Sequence, residues 1–594
     1  MRKRRSRSVP WVARCERRAS LRGGIVAGLV ALAAPAFGPA AEPVPVTISG
    51  LSPALEQNVR ALLTMARQPA DSPAAQIQLA QDRAPEEIRK ALEPFGYYRP
   101  QVEAALRRVN GQWRAVYRVD PGPPLRVTEV DVRIFGEAAA LPEMQALVRE
   151  FPLKAGAVLD QPRYEKGKGA LQDLAAELGF FDARLTRHEI RVDLSAYRAA
   201  IHLWLDSGPR YRFGPVKFNE TPLQPSLLKR FVQFRPGDPY RASAVLALQR
   251  NLLNSGYFQT ADVAPKPRQA RARETPIQVE LGMQPRHRFN IGVGYGTDTG
   301  PRTSLAYWNR YVNSYGHSFQ ASARLSLIWN DLDLLYAIPL ANPVRDQLAF
   351  TAKSGLENTV AGESRVVRAG VRHSTARWGL RELLALDYHR ETFRLNGATQ
   401  TTQLLIPSLN YTWLRSDNQI YPQHGFRLDG YLGGAWRGLA TDVSFLKAQL
   451  NAKGVYGLDD ENRLIARGQL GWLVTDDFDR LPLTQRFYTG GDQTVRGYRF
   501  NEISPKDARG ERIGGRYLTV ASLEYEHLLF GTWGVAVFTD VGRVANGAGD
   551  PFRVGVGLGL RWRSPIGPVR LDLGVPLGKA LDPVQVHVVL GPDL

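Results

Sequence analysis

The clearest structural signal in the chain is Arg553-Val554-Gly555-Val556-Gly557-Leu558-Gly559-Leu560-Arg561-Trp562. Apolar side chains alternate with glycine and arginine, so an extended strand here has one apolar face and one small or charged face. A strand of this kind suits a wall between lipid and a wet interior. Soluble sandwiches show similar alternation, but their strands usually run to only about five or six residues.

The same period fills the C-terminal half of the chain, starting near Arg286. About sixteen such segments can be marked between residues 286 and 592. The count is uncertain by two, because residues 346–393 alternate poorly. After the N-terminus no apolar run approaches the ~18 residues of a membrane helix. Only helices and closed barrels satisfy their backbone hydrogen bonds in lipid. We therefore predict a transmembrane antiparallel β-barrel of about 16 strands over residues 286–594.

The N-terminus is typical of a secretory leader. Residues 1–22 hold nine Lys and Arg side chains and one acid, followed by a short apolar stretch and small residues near 38–42. We predict a signal peptide over residues 1–41; the alternative, a single anchoring helix, is disfavoured by Pro35 and Pro39. The only cysteine, Cys15, lies in this leader, so the exported chain suits an oxidising periplasm.

The net charge is +20, and +12 remains once the +8 of residues 1–22 is subtracted. This excess is compatible with anionic lipid headgroups, with a solvated surface or with a basic barrel lumen. There is no zinc-ligand spacing, recognition-helix motif or basic-aromatic stripe, so the charge does not predict a nucleic-acid partner.

An internal repeat precedes the barrel. Its mark is a glycine followed by two aromatic residues, which recurs at intervals of 83 and 77 residues. The three copies are Gly96-Tyr97-Tyr98, Gly179-Phe180-Phe181 and Gly256-Tyr257-Phe258. A helical apolar pattern comes before each glycine, and turn residues such as Asp120-Pro121-Gly122-Pro123 follow. We predict three related α+β units (strand, helices, strand, strand) at residues 43–122, 123–208 and 209–285, rather than three unrelated domains.

Two further motifs predict a contact inside the barrel. The longest connection contains Gly490-Gly491-Asp492-Gln493-Thr494-Val495-Arg496-Gly497-Tyr498, and a later strand contains Phe538-Thr539-Asp540-Val541-Gly542. Phe538, Asp540 and Gly542 share one strand face, which is lumenal if Val537 and Val541 face lipid. A loop folded inward would pair Arg496 with Asp540; spacing alone equally allows both charges to be solvated separately.

These motifs resemble those of the outer-membrane insertase and two-partner-secretion superfamily. Val495-Arg496-Gly497-Tyr498, Phe538 to Gly542, Tyr421-Pro422-Gln423-His424-Gly425 and Ser564-Pro565-Ile566-Gly567-Pro568 all look like its signatures. The repeats then resemble POTRA domains, and three of them resemble the TamA branch of the BamA/TamA insertases. The ending Leu590-Gly591-Pro592-Asp593-Leu594 departs from the terminal aromatic of many outer-membrane proteins.

The resemblance implies an assembly factor in the cell outer membrane, with its POTRA domains in the periplasm. It would help to insert or translocate β-barrel proteins and autotransporters through a weak seam between its first and last strands. The expected seam residues are Phe289, Ile291, Val293, Tyr295, Val584, Val586, Val588 and Leu590. Expected partners are a TamB-like periplasm-spanning protein, unfolded outer-membrane protein clients and outer-membrane lipid; no cofactor, metal or nucleic acid is expected.

Other functions stay open on the sequence. A transporter dedicated to one exported protein is the main alternative, although three repeats argue against it. A fully closed seam, with Gly292 and Gly294 merely easing curvature, is also possible. A plain porin would not need the repeats. An enzyme is not predicted, because there is no Gly-x-Ser-x-Gly elbow and no His-Glu-x-x-His.

Overall fold

A computed structural model of the chain describes residues 42–296, 300–359, 362–395, 397–418, 420–438, 440–564, 567–578 and 584–590. The predicted signal peptide therefore lies outside the described residues. The described residues fall into two compact units. One comprises residues 42–131, 151–167 and 188–202, and the other comprises residues 132–150, 168–187 and those from 203 onward. Within the described ranges, no helix has the length and apolar character needed to cross a bilayer.

The N-terminal part forms three successive α/β repeats. The first contains β1 (Val46–Ser49), α1 (Pro53–Leu62), α2 (Ala74–Leu92), β2 (Gln101–Val109) and β3 (Gln112–Asp120). The second contains β4 (Arg126–Phe135), α3 (Pro142–Arg149), α4 (Gln161–Glu177), β5 (Arg184–Asp193) and β6 (Arg198–Asp206). The third contains β7 (Arg212–Phe218), α5 (Pro225–Lys229), α6 (Ala242–Asn254), β8 (Phe258–Pro265) and β9 (Glu274–Met283). In each sheet the last strand lies in the middle, and the predicted order of elements is confirmed.

The repeated glycine ends the long helical segment of each repeat. Gly96, Gly179 and Gly256 have φ values of 85°, 82° and 78°, in the left-handed region that glycine adopts without a steric penalty. The chain turns back there, so the aromatic residues that follow are returned to the core. In the third repeat both Tyr257 and Phe258 are buried against the helices and the sheet.

The C-terminal part forms one sheet of sixteen antiparallel strands in chain order. They are β10 (His287–Gly296), β11 (Gly300–Asn309), β12 (Ser318–Ser326), β13 (Trp329–Pro339), β14 (Gln347–Thr359), β15 (Gly362–Arg377), β16 (Leu380–Leu395), β17 (Ala398–Ser416), β18 (His424–Ala435), β19 (Phe445–Gly457), β20 (Asn462–Thr475), β21 (Tyr517–Phe530), β22 (Trp533–Ala545), β23 (Arg553–Ser564), β24 (Gly567–Pro576) and β25 (Gln585–Leu590). Cα atoms of β10 and β25 approach within 8 Å, so the sheet curls into a barrel with a seam between its two ends. The predicted fold class, repeats followed by a barrel of about 16 strands, is confirmed.

Side chains alternate between the lumen and the outer face. On β22 Ala536, Phe538 and Asp540 are buried, whereas Val535 and Val537 are exposed on the outer face. One end of the barrel, where β10 begins directly after the third repeat, is called the repeat end. The opposite end is called the loop end. The connection from β20 to β21, residues 476–516, is at the loop end and is called the long loop.

Residues 346–393, whose sequence alternates weakly, form β14, β15 and most of β16. These strands are long: β15 and β16 have 16 residues each, against the ~9–11 that cross a bilayer. On β16 the outer-face residues Leu384 and Leu386 are followed by Tyr388 and Arg390. The outward-facing apolar residues therefore stop where the strand extends beyond the apolar band, and the apolar Phe393 and Leu395 that follow are buried on the inner face.

The third repeat is attached to the repeat end of the barrel. The Tyr257 hydroxyl donates to the carbonyl oxygen of Gly316 at 2.5 Å, in the turn between β11 and β12. Arg230 donates to the carbonyl oxygens of Pro339 and Leu340 at 3.1 Å, next to the turn between β13 and β14. A Cβ atom at Gly316 would lie 2.5 Å from Leu227, so the turn and the repeat are in direct contact. The repeat is thus held against the N-terminal strands of the barrel.

Candidate functional site: a lumenal loop and a strand seam

The long loop folds back into the barrel. Antiparallel bridges join Phe487 to Gly515 and Thr489 to Ile503, so the loop has its own hairpin-like structure. Its side chains pack against inward-facing strand residues in one buried cluster. The loop members of this cluster are Leu481, Phe487, Val495, Tyr498 and Ile503, and the strand members include Leu404, Leu473, Leu518 and Val520. The loop is therefore part of the folded interior rather than a free surface segment.

Arg496 is fully buried and binds Asp540. Its Nε donates to Asp540 Oδ2 at 2.7 Å and its Nη2 donates to Asp540 Oδ1 at 3.0 Å. The backbone N–H of Arg496 also donates to Asp540 Oδ2, at 3.0 Å. This two-pronged geometry matches the fork of a guanidinium to the two oxygens of a carboxylate. The structure thus brings together the two residues that the sequence singled out.

The other members of the two motifs meet at the same place. The Arg496 guanidinium lies 3.4 Å from the centre of the Phe538 ring, a cation–π contact. A Cβ atom at Gly542 would come 2.4 Å from a methyl group of Val495, so only glycine leaves room for that side chain. Asp540 also accepts from the Ser522 hydroxyl at 2.5 Å. Phe538 and Asp540 thus bind the Arg496 side chain, and Gly542 leaves room for the Val495 side chain.

The charge cluster extends beyond the pair that the sequence indicates. Arg496 Nη1 also donates to Glu524 on β21, at 2.6 Å, and to Asp572 on β24, at 3.0 Å. Arg561 on β23 donates to the same two carboxylates, each at 2.6 Å. Three strands, β21, β22 and β24, therefore contact a single loop side chain, and β23 joins them through Arg561.

The cluster continues to the repeat end of the barrel. Arg561 donates to Glu526 at 2.7 Å, and Arg463 binds the other oxygen of that carboxylate at 2.5 Å. Arg463 and Arg563 lie 3.5 and 3.8 Å from the centre of the Tyr421 ring. Tyr421 belongs to the Tyr421–Gly425 motif in the turn between β17 and β18. A continuous series of ionic and cation–π contacts thus joins the long loop to a turn at the repeat end.

Opposite charges balance among the ion-paired members of this cluster. Arg463, Arg467, Arg496 and Arg561 face Glu524, Glu526, Asp540 and Asp572. Ion pairs removed from water are tolerated only when each charge has a partner and well-placed hydrogen bonds. These eight residues meet that condition, so they fix the position of the loop without an uncompensated charge among themselves.

The seam is the second candidate site. Each internal strand has antiparallel ladders on both sides, whereas β10 and β25 stand at the ends of the sheet order. Among the described residues, no backbone hydrogen bond joins them. An unpaired strand edge presents N–H and C=O groups that another strand can bind.

The predicted seam residues lie on these two strands or beside them. On β10, Phe289, Ile291 and Val293 are 73%, 76% and 84% exposed on the outer face. The side chain of Tyr295 is outside the described set. Near β25, Val586 and Leu590 are exposed outward and Val588 is half-buried, whereas Val584 immediately precedes the strand. Apolar side chains on the outer face of an incompletely paired edge are suited to contact lipid.

Sequence reasoning did not identify Glu524, Asp572, Arg561 or His587. The available signal was a charged residue at an inward-facing position of an alternating strand, as in Leu523-Glu524-Tyr525-Glu526. Alternation assigns such a residue to the lumen but does not show which charges meet across neighbouring strands. Within the described ranges, no group of three or more His, Cys, Asp or Glu residues is arranged to hold a metal ion.

Comparison with known proteins places this geometry in a family. Residues 286–591 match the Omp85 superfamily domain, residues 45–121 match POTRA domain TamA domain 1, and residues 211–281 match the POTRA family described as surface antigen variable number repeat. The chain is 26% identical over 386 residues to the outer membrane protein assembly factor BamA of Nitratidesulfovibrio vulgaris, covering 61% of this chain and 48% of that protein. It is 20% identical over 403 residues to BamA of Neorickettsia risticii, covering 62% of this chain and 53% of that protein.

The chain thus spans about half the length of the curated relatives that it matches. Among solved structures, BamA from Haemophilus ducreyi lacking POTRA domains 1–3 superposes with a TM-score of 0.67 at 17% identity, covering 79% of this chain and 99% of that one. This similarity supports the fold. Because the family match covers more than half of the sequence, the chain belongs to the Omp85 superfamily, as an outer-membrane β-barrel with POTRA domains in the periplasm.

Proposed function

We propose that this protein is an assembly factor that inserts or translocates β-barrel proteins and autotransporters at the seam between β10 and β25. The observation that carries the proposal is the exposure of β10 and its lack of pairing with β25 among the described residues. Its outer face is apolar and highly exposed at Phe289, Ile291 and Val293, and its free edge has no ladder to β25 among the described residues. An incoming strand can add to such an edge by main-chain hydrogen bonds.

The POTRA domains would deliver clients and bind a partner. We propose a TamB-like periplasm-spanning protein as that partner, because residues 45–121 match the TamA type of first POTRA domain. Unfolded outer-membrane proteins are the proposed clients. Outer-membrane lipid is the proposed environment into which they are released, through the same seam.

A cysteine lock across the seam tests the proposal. Because Cys15 is the only cysteine of the chain, and lies in the predicted leader, Val293→Cys with Val586→Cys introduces the reporting pair. The matched control is Leu450→Cys with Leu470→Cys, two outward-facing residues that are already opposite each other in the β19–β20 ladder. We expect oxidation to stop surface assembly of an autotransporter in the seam pair alone, and a reductant to restore it.

Full assembly with the seam disulfide completely formed contradicts the proposal. That outcome would favour a transporter that exports one dedicated protein through the lumen. Loss of assembly in the control pair as well would show that any crosslink in the barrel is harmful, and would remove the support that the seam pair gives.

A further inference from the structure

The long loop lies directly on the backbone of the last strands of the barrel. A Cβ atom at Gly555 on β23 would be 1.9 Å from the carbonyl oxygen of Arg496, and one at Gly574 on β24 would be 2.5 Å from the backbone nitrogen of Gly497. In the other direction, a Cβ atom at Gly497 would be 2.9 Å from the backbone of Val575. No side chain separates the two backbones there, so the loop and these strands are packed as closely as glycine allows.

Polar contacts join the loop to β24 and β25. Arg496 binds Asp572 on β24 at 3.0 Å. The backbone N–H of Gly497 donates to Nε2 of His587 on β25 at 3.1 Å. His587 is only 1% exposed, so this hydrogen bond is shielded from water. The last strand is therefore bound by β24 on one side and by the loop from within.

The opposite side of the seam has no such support. In β10 the inward-facing Arg288 and Asn290 are exposed, and none of the described residues 287–294 is buried. Arg288 donates to Asn290 within the same strand. Among the residues that the structure describes, no hydrogen bond links β10 to the long loop. The ladder to β11 is thus the main restraint on this strand.

We propose that the long loop is a brace for the last strand, which makes β25 the fixed edge of the seam and β10 the mobile one. In this view Gly497, Gly574 and His587 are positioning residues that act through β25. The effect of the brace on client assembly rests on the proposed function, whereas the restraint of β25 by the long loop does not. Opening of the seam would displace β10 and leave β24 and β25 in place.

Amide hydrogen exchange of the full-length protein in lipid nanodiscs tests the brace. In the unaltered protein we expect the amides of residues 585–590 to exchange more slowly than those of β10. Gly574→Ala places a methyl group against Gly497 and should speed exchange in β25 by about tenfold. The matched control is Gly430→Ala, a strand glycine with no atom within 4 Å of the added Cβ.

A second pair of variants changes the loop instead of a strand, so the test does not depend on Gly574→Ala alone. Gly497→Ala and Gly510→Ala replace two loop glycines with φ of 93° and 82°, but only the first adds a methyl group that meets β24. His587→Ala removes the acceptor for Gly497, and His587→Gln offers an amide oxygen in its place. We expect faster exchange in β25 for Gly497→Ala and His587→Ala, and partial recovery for His587→Gln.

Two results would overturn the brace: equal protection of β10 and β25 in the unaltered protein, or β25 exchange in Gly574→Ala and Gly497→Ala no faster than in their controls. The measurement requires no client. If the exchange results are as expected but the seam disulfide leaves assembly intact, the brace stands and the proposed seam function fails. If the disulfide stops assembly but exchange does not respond, the proposed function stands and the brace fails.

Discussion

At the scale of single residues, Arg496 contributes most to the position of the long loop. Arg496→Ala removes the cation that Asp540, Glu524 and Asp572 share. Arg467 and Arg561 still pair with these carboxylates, so we expect a cost at or below the ~3–5 kcal/mol of removing one member of a buried ion pair. We expect the loop to detach and assembly to fall while the barrel still inserts. Arg496→Lys should rescue poorly, because an ammonium cannot make the forked contact.

Limited proteolysis of the loop, together with the temperature at which the folded barrel unfolds on heating, provides the measurement. The control is Arg499→Ala, an exposed arginine in the same loop. Equal loop cleavage in Arg496→Ala and Arg499→Ala would contradict the anchoring role of Arg496.

Tyr421 gives a second prediction at this scale. Tyr421→Phe keeps the ring between Arg463 and Arg563 and loses the hydroxyl, which makes a long hydrogen bond of 3.4 Å to Glu526. Tyr421→Ala removes the ring and leaves a cavity, at a cost of about 3 kcal/mol. The barrel of Tyr421→Ala should unfold at a clearly lower temperature than that of Tyr421→Phe. Indistinguishable unfolding temperatures would show that the ring does not hold the turn.

The sequence indicated Arg496 and Asp540 because both belong to motifs that a resemblance makes visible. It did not indicate His587 or Asp572, because their contacts depend on the register of β24 and β25 and on the depth to which the loop enters. Those quantities are set by packing between segments far apart in the chain. Inward-facing position is a local property of a strand, whereas convergence of charges is a property of the folded barrel.

At the scale of elements, we predict that the contact between the second and third repeats weakens at low pH. Glu137 accepts from the backbone N–H of Arg210 at 2.9 Å and from the Arg273 side chain at 2.7 Å. The Arg210 hydrogen bond is the main cause that lowers the pKa of Glu137, with Arg273 contributing further. The stabilisation is therefore present above the ordinary carboxyl pKa of 4.5 and is lost as the pH falls through the lowered value.

Spin labels on the two repeats should report a broader distance distribution as the pH drops below 4.5. Glu137→Gln is the control, because its distribution should not change with this titration. A wild-type distribution that stays constant through the same range would show that this carboxylate does not hold the repeats together.

The strands also show what alternation can and cannot predict. β21 and β22 alternate between buried and exposed residues along most of their length, and the sequence marks them clearly. β16 and β17 extend past the apolar band; on this part of β16 the polar Thr392 and Arg394 face outward, whereas the apolar Phe393 and Leu395 are buried inside. Extended backbone is maintained there by neighbouring strands, a tertiary effect that a local apolar period does not reveal. The repeats were predictable because the same glycine turn occurs three times.

At the scale of the whole molecule, the balance of charge in the lumenal cluster bears on the excess of +12. Four arginines and four carboxylates cancel there, so this cluster does not account for the excess positive charge. The excess therefore lies on other parts of the molecule, which include the surfaces that anionic lipid headgroups can reach. The ion-paired network thus holds the loop in place and adds no net charge of its own.

The two sides of the seam are restrained by different parts of the molecule. The third repeat is tied to the turns of β11–β14 by Tyr257 and Arg230, and the long loop is tied to β23–β25. We therefore predict that Tyr257→Phe combined with Arg230→Ala uncouples the repeat from the β10 side. Each lost hydrogen bond costs about 1 kcal/mol, so client assembly should fall severalfold while the unfolding temperature of the barrel stays unchanged.

Surface display of a client and heat-induced unfolding, measured on the same membranes, separate these two effects. Arg235→Ala is the matched control, because it removes an exposed arginine of the same repeat. Normal assembly in the double variant would mean that delivery does not require a fixed third repeat. A lowered unfolding temperature would mean instead that the repeat stabilises the barrel itself, and that its attachment to β11–β14 is structural.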